Sequence, residues 1–147
     1  MFNKYMILTR DFRNVSSHYR VTGFQVKIRI PYYRGVALSL IEAIDLTVDG
    51  EIFPRDSMTF STGGHTYTFD ELAKTTDVEW GFGAPATLTV NKPEGLSTGM
   101  HTVELGIVIR KSYIPKNDPE NLFDFAQTTL VPFLHAREGA VKRMTLV

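Results

Sequence analysis

The side chains of this sequence that could do chemistry are four histidines, a scatter of carboxylates and several bunched aromatic residues. His18, His65, His101 and His135 lie far apart. None stands two or four positions from another, the spacings at which a strand or a helix turns two imidazoles toward one metal ion. Asp45, Asp49, Glu51, Asp56, Asp70 and Glu71 fall in expected turns and on polar faces, where capping and solvation account for them. No two of them stand at an assignable glycosidase separation. Ser61-Thr62-Gly63-Gly64-His65 has the glycines of a phosphate-holding loop but neither its lysine nor its following helix, and reads as a hairpin loop. The absence of cysteine excludes a disulfide framework, a thiolate zinc site and a cysteine nucleophile.

The aromatics carry more information. Tyr32-Tyr33-Arg34, Trp80 with Phe82, and Phe123 with Phe125 are bunched where turns and loops are expected. One reading folds them over a sheet end as ordinary core. The other makes them a surface that meets a protein or stacks on a sugar or flavonoid-like ring, since Tyr, Trp and Arg are the types enriched at interface hot spots. Tyr32, Tyr33, Arg34, Trp80 and Phe82 are the candidate partner-interface or pocket-edge residues. No acid, base or metal constellation accompanies them, so no catalytic residue is assigned, and a binding or subunit role is favoured over independent catalysis.

These residues need a scaffold, and the patterning predicts strands. Phe24, Val26, Ile28 and Ile30 alternate with Gln25, Lys27 and Arg29, the period of a strand with one wet face, and Pro31 ends its pairing. Residues 36–48 keep a β pattern that breaks at Leu40-Ile41-Glu42-Ala43, through a bulge, a change of sheet or a short helix. Asp49-Gly50 closes a hairpin. Short strands are expected at 58–60, 66–69 and 86–90, with a helical turn at 70–74 capped by Asp70. The strand at 101–110 directs Val103, Leu105, Ile107 and Ile109 to one side and belongs in the centre of its sheet. Residues 1–19 read as a leader packed on the domain, with a turn at 11–14. Residues 116–142 read as an excursion before a last strand at 141–147, with one or two helical turns at 121–127 and a β-like run at 128–134. Short strands punctuated by glycine and proline, without a long helix, predict an all-β fold: an antiparallel β-sandwich, immunoglobulin-like or jelly-roll, with one or two short helical turns.

Length and charge bound the rest. A chain of 147 residues fits one domain, which at this size removes roughly 70% of its unfolded surface from water. Sixteen basic and sixteen acidic residues cancel and form no basic stripe, which argues against a nucleic-acid partner. The N-terminal apolar run is too short for a signal peptide, and no stretch approaches a membrane span. A soluble, cytoplasmic chain is expected.

Met1-Phe2-Asn3-Lys4-Tyr5-Met6, Asp11-Phe12-Arg13-Asn14-Val15, Val21-Thr22-Gly23-Phe24-Gln25, Ile30-Pro31-Tyr32-Tyr33-Arg34-Gly35, Leu46-Thr47-Val48-Asp49-Gly50 and His101-Thr102-Val103-Glu104-Leu105 together resemble the small β subunit of bacterial C-glycoside deglycosidases. The resemblance covers residues 1 to about 115 and is weak beyond. It implies a heteromeric enzyme in which a larger α subunit, similar to sugar isomerase barrels, holds a divalent metal, often manganese, and the reacting residues. The implied substrate is a C-glycoside, such as a glucosylated flavonoid or anthraquinone, oxidised to a 3-keto sugar and cleaved at its C–C bond by elimination. This chain is then a non-catalytic β subunit with no cofactor of its own. Two alternatives stand beside it: a stand-alone carbohydrate-binding module that stacks sugars on Trp80 and the tyrosines, and an independent metal-dependent lyase of cupin type.

Overall fold

The computed structural model describes residues 6–30, 35–111 and 122–133. Two antiparallel sheets pack around one buried apolar cluster. The first contains β1 (Ile7–Ser17), β2 (Arg20–Arg29), β6 (Met58–Thr62), β7 (His65–Tyr67) and β9 (Pro85–Asn91), in the order β1-β2-β9-β6-β7. The second contains β4 (Ile41–Val48), β5 (Glu51–Phe53), β10 (Gly99–Arg110) and β11 (Leu122–Phe133), in the order β11-β10-β4-β5. A two-stranded ribbon joins β3 (Val36–Ala37) to β8 (Glu79–Trp80), and one short helix, α1, spans Phe69–Lys74. The expected antiparallel sandwich is what forms.

Period-two patterning builds both layers. Phe24, Val26 and Ile28 of β2, Leu88 and Val90 of β9 and Phe60 of β6 turn inward from one sheet. Val103, Leu105, Ile107 and Ile109 of β10 meet them from the other, and β10 lies between β4 and β11 as its pattern predicts. Phe24 against Phe53 (5.4 Å) and Phe12 against Phe133 (4.8 Å), both edge to face, bridge the two layers. Asp49 (φ 51°) and Gly50 (φ 84°) make the β4–β5 turn with both residues left-handed, as a two-residue hairpin matched to strand twist requires.

Several local expectations are corrected. Residues 7–17 are not a leader but an edge strand paired with β2. The expected turn at 11–14 is a wide bulge: Leu8 pairs with Lys27 and Arg13 with Gln25, leaving four residues opposite Val26 alone. Asp11 takes φ 60°, and the bulge swings Phe12 into the core. Gln25, on the expected wet face, is buried because the bulge covers it, and its Nε2 donates to the Asp11 carbonyl (3.0 Å). Residues 122–127 are not helical: together with 128–133, β-like as expected, they form β11, which pairs with β10 along its whole length, so this stretch is no excursion. Phe123 and Phe125, two apart, share the inward-facing row with Gln127 and Thr129, a strand period. Helix α1 is capped by Thr68, not Asp70. Thr68 accepts from the Glu71 amide while the Glu71 carboxylate accepts from the Thr68 amide, a reciprocal capping box. At Leu38–Leu40 the chain makes a 3₁₀ turn, and a register shift at Ile41 against Ile109 supplies the expected irregularity before β4 continues. The expected last strand at 141–147 lies outside the described residues.

Candidate functional site

Gly35 and the aromatic-glycine loop, some fifty residues apart in sequence, meet where β3 pairs with β8. Tyr32, Tyr33 and Arg34 themselves lie outside the described residues. Gly35, which follows them, is held against the loop: a Cβ built on it would stand 3.2 Å from the Trp80 carbonyl oxygen and 3.4 Å from Gly81 Cα. The close approach arises because β3 pairs with β8, Val36 opposite Trp80. Ser39 and Leu38 amides donate to the carbonyls of Thr75 and Val78, tying the 3₁₀ turn to the segment that follows α1.

Within the aromatic-glycine loop the two aromatics part company. Trp80 is 0% exposed, edge-on to Phe60 at 5.2 Å, and its Nε1–H donates to the Ala84 carbonyl at 2.9 Å. Its ring is core and cannot be offered to a partner or a sugar with the sandwich closed, which corrects its assignment as a contact residue. Phe82 is 61% exposed and remains available. The indole bond to Ala84 and the left-handed Gly83 (φ 80°) fix the loop that presents it.

Beside Gly35 opens a cleft of about 340 Å³ lined by Val36, Ala37, Leu40, Glu79, Arg110 and Lys111. Arg110 is committed to the scaffold: Nη2 donates to the Ser39 carbonyl (3.0 Å) and Nε lies 3.1 Å from Glu42 Oε1. Lys111 sits over the Phe123 ring at 4.5 Å. Sequence reasoning missed these residues, and no local signal marks them, since Glu42 and Arg110 are distant in the chain and meet only when β4 pairs with β10. A second groove, about 670 Å³, runs beside α1 between Glu42, Arg55, Asp56, Thr59 and Asp70. Its one arginine, Arg55, is paired with Asp45 at 3.0 Å.

The histidine and carboxylate survey gains one constellation. His101 is buried, with Nδ1 2.5 Å from Asp49 Oδ2 and Nε2 2.7 Å from the Ser97 carbonyl oxygen. Both facing atoms are acceptors, so a ring with a proton on each nitrogen satisfies both. The other Asp49 oxygen accepts from the Thr102 amide at 2.8 Å. The hydrogen bond from His101, then that from Thr102, holds the Asp49 carboxyl below the usual carboxylate range. The Asp49 carboxylate binds the β4–β5 turn to β10, while the second ring nitrogen of His101 holds the Ser97 carbonyl just before β10, which makes the group an architectural device. Among the described residues, no three His, Cys, Asp or Glu side chains gather as metal ligands. No described helix is long and apolar enough to cross a membrane.

Comparison with known proteins supplies what this geometry lacks. The model of the C-glycoside deglycosidase beta subunit family matches residues 2–113. A C-glycoside deglycosidase beta subunit of Eubacterium cellulosolvens is 38% identical over 113 residues, 76% of this chain and 77% of the relative. One of Microbacterium trichothecenolyticum is 32% identical over 97 residues, 66% of this chain and 73% of the relative. A 3'-dehydrocarminate deglycosidase beta subunit of a Microbacterium species is 30% identical over 94 residues, 64% of this chain and 70% of the relative.

Proposed function

The chain belongs to the C-glycoside deglycosidase beta subunit family, and on that premise we propose that it is the non-catalytic β subunit of a heteromeric enzyme that cleaves 3-keto C-glycosides by elimination. The observation that carries this reading is the family match over residues 2–113, which takes in β1 through β10 and so both sheets of the sandwich. The oxidised substrate class is supported by the name of one relative, a 3'-dehydrocarminate deglycosidase. The accepted aglycone in this reading is a flavonoid or an anthraquinone.

The chemistry belongs to a larger α subunit, expected to be a barrel similar to sugar isomerases and to hold a divalent metal such as manganese. A ketone at C3 acidifies the hydrogen on C2, which a base there removes. The electron pair so released forms a double bond between C1 and C2 as the bond from C1 to the aglycone carbon breaks, and that carbon takes up a proton. A divalent metal held by that subunit would supply Lewis acidity to the reaction. The role of this chain is to complete and stabilise the assembly, with Tyr32, Tyr33, Arg34 and Phe82 at the partner contact or pocket edge, in the cytoplasm. Supporting the non-catalytic role, Asp49, His101, Glu42, Asp45 and Arg110 are each committed to hydrogen bonds or ion pairs within the fold.

The test is light-scattering mass of the chain alone and with its candidate barrel partner, followed by assay of both on a 3-keto C-glycoside. Co-migration, with cleavage only in the mixture, is expected. A monomer that ignores the partner would overturn the reading and turn attention to sugar binding, although burial of Trp80 removes one of the stacking platforms a carbohydrate-binding module would use.

A further inference from the structure

We propose that the outer face of the β4–β5–β10–β11 sheet is the surface on which the larger partner subunit docks, an inference that rests on the β-subunit reading. Large apolar side chains exposed to solvent are concentrated there. Among the described residues five are strongly exposed, and Ile52 (75%), Met100 (58%) and Leu130 (58%) all stand on this face. Their pairing shows it: Ile52 lies opposite Thr47, Leu130 opposite Thr102 and Met100 opposite Pro132, in the row whose alternate members, Val103 and Val131, point into the core. The outer face of the other sheet presents Lys27, Thr59, Thr87 and Thr89, and its apolar residues Leu8 and Val15 are partly buried. Strongly exposed apolar side chains gathered on one outer face and not on the other mark the face that meets a protein.

Gly106 points the same way. It lies within the central strand β10, where glycine weakens a sheet. The fold does not require it: its φ is not left-handed, and an added Cβ would meet nothing nearer than the Phe125 carbonyl oxygen at 3.9 Å. Across from it on β11 stands Ala126, small as well, while on β4 it faces Asp45, which is paired with Arg55. The small pair Gly106 and Ala126, unexplained from within, leaves room on this face for close approach by another chain.

Charge selects the occupant. Glu104 and Asp124 are exposed on this face, whereas among the described cations that border it Arg55, Lys92 and Arg110 are already paired with Asp45, Glu51 and Glu42, and Lys111 sits over the Phe123 ring. Two copies face to face would oppose carboxylate to carboxylate. The complementary surface therefore belongs to a different protein and carries lysine or arginine around an apolar centre.

Oxidative footprinting of Met100 and assembly with the α subunit test this together. Met100 is expected to oxidise in the free chain and to be protected in the complex. Gly106→Arg and Leu130→Glu are expected to weaken assembly by about tenfold or more, with unfolding midpoints unchanged, while Thr89→Arg on the opposite face assembles normally. Should Gly106→Arg fail to fold, Leu130→Glu, at an exposed position, carries the test. Normal assembly of a folded Leu130→Glu chain, with Met100 equally oxidised in the complex, would overturn the proposal. So would protection of Met100 in the free chain, whose scattering mass would then show whether a second copy or the chain itself covers the face. Failure of the unmodified chain to assemble is seen before any variant is made, and overturns the β-subunit reading itself.

Discussion

Trp80 and Phe82 stand two positions apart in one loop, and burial gives them opposite roles. Trp80→Ala removes a fully buried ring from its contact with Phe60 and strands the Ala84 carbonyl. A loss of about 3–5 kcal/mol is expected, read as a lowered urea midpoint. Phe82→Ala changes stability by less than about 0.5 kcal/mol and shows itself in weaker assembly or turnover of the reconstituted enzyme. Comparable losses in stability and assembly for Phe82→Ala would make that ring ordinary packing. At Asp49 the sign of the pH dependence follows from its carboxyl lying below its ordinary value of 3.8 in the folded chain. The stabilisation this gives is fully present above that value and is lost as pH falls through the lower folded pKa. The stability gap between the native chain and Asp49→Asn, a variant that keeps a turn-compatible residue, should be constant near neutrality and close below pH 3.8. Its carboxylate is half exposed, so solvent screening keeps the gap small. A gap that widens on acidification would show that the bond to His101 does not stabilise the fold.

Strand β2 crosses β9 so closely at Gly23 that no other residue fits: an added Cβ would stand 1.8 Å from the Val90 carbonyl oxygen. Gly23→Ala must separate the two strands, at an expected cost of about 3 kcal/mol, seen as faster amide exchange along both β2 and β9. Unaltered exchange would mean that the backbone absorbs the methyl group elsewhere. The same element-level logic explains β1. Asn14 acts as a piece of strand, its amide accepting from the Leu96 amide (2.9 Å) and donating to the Leu96 carbonyl (3.1 Å), while Gln127 of β11 accepts from the Met6 and Ile7 amides (both 2.9 Å). These side chains pin an edge strand whose bulge interrupts its ladder. Nothing in the order Ile7 to Ser17 announces that, because alternation fails where four residues face one, and a turn is the natural reading of Asp11-Phe12-Arg13-Asn14. In β11 the misreading had another source: a run with Phe123, Phe125 and Gln127 is short enough to suit either period until its partner strand is known. Alternation with a wet face on one side, as in β2, β9 and β10, was by contrast sufficient to place strands and to centre β10.

At the scale of the whole molecule, legibility follows the range of the interactions. Layer architecture, the Asp49-Gly50 hairpin and the inward rows depend on neighbours within a few residues and could be read from the chain. The site depends on meetings between distant segments: Gly35 with Trp80, Glu42 with Arg110, and the outward row that collects Ile52, Met100 and Leu130. Those could not be read, and a loop aromatic such as Trp80 was as plausible outside as inside until Phe60 and Ala84 were placed around it. The same long-range pairing sets the folding kinetics. β2 pairs with β9 and β4 with β10 across some sixty residues of chain, so loops must close before most of the core can form. Folding is therefore expected on the millisecond-to-second scale typical of all-β topologies. Trp80, the sole tryptophan, is a built-in reporter, since its burial against Phe60 forms only when β3, β6 and β8 have come together. Stopped-flow refolding should show a blue shift of Trp80 emission at the same rate as the gain of β-sheet signal. A tryptophan phase well ahead of the sheet signal would mean that the β3–β8 end folds on its own before the sandwich closes.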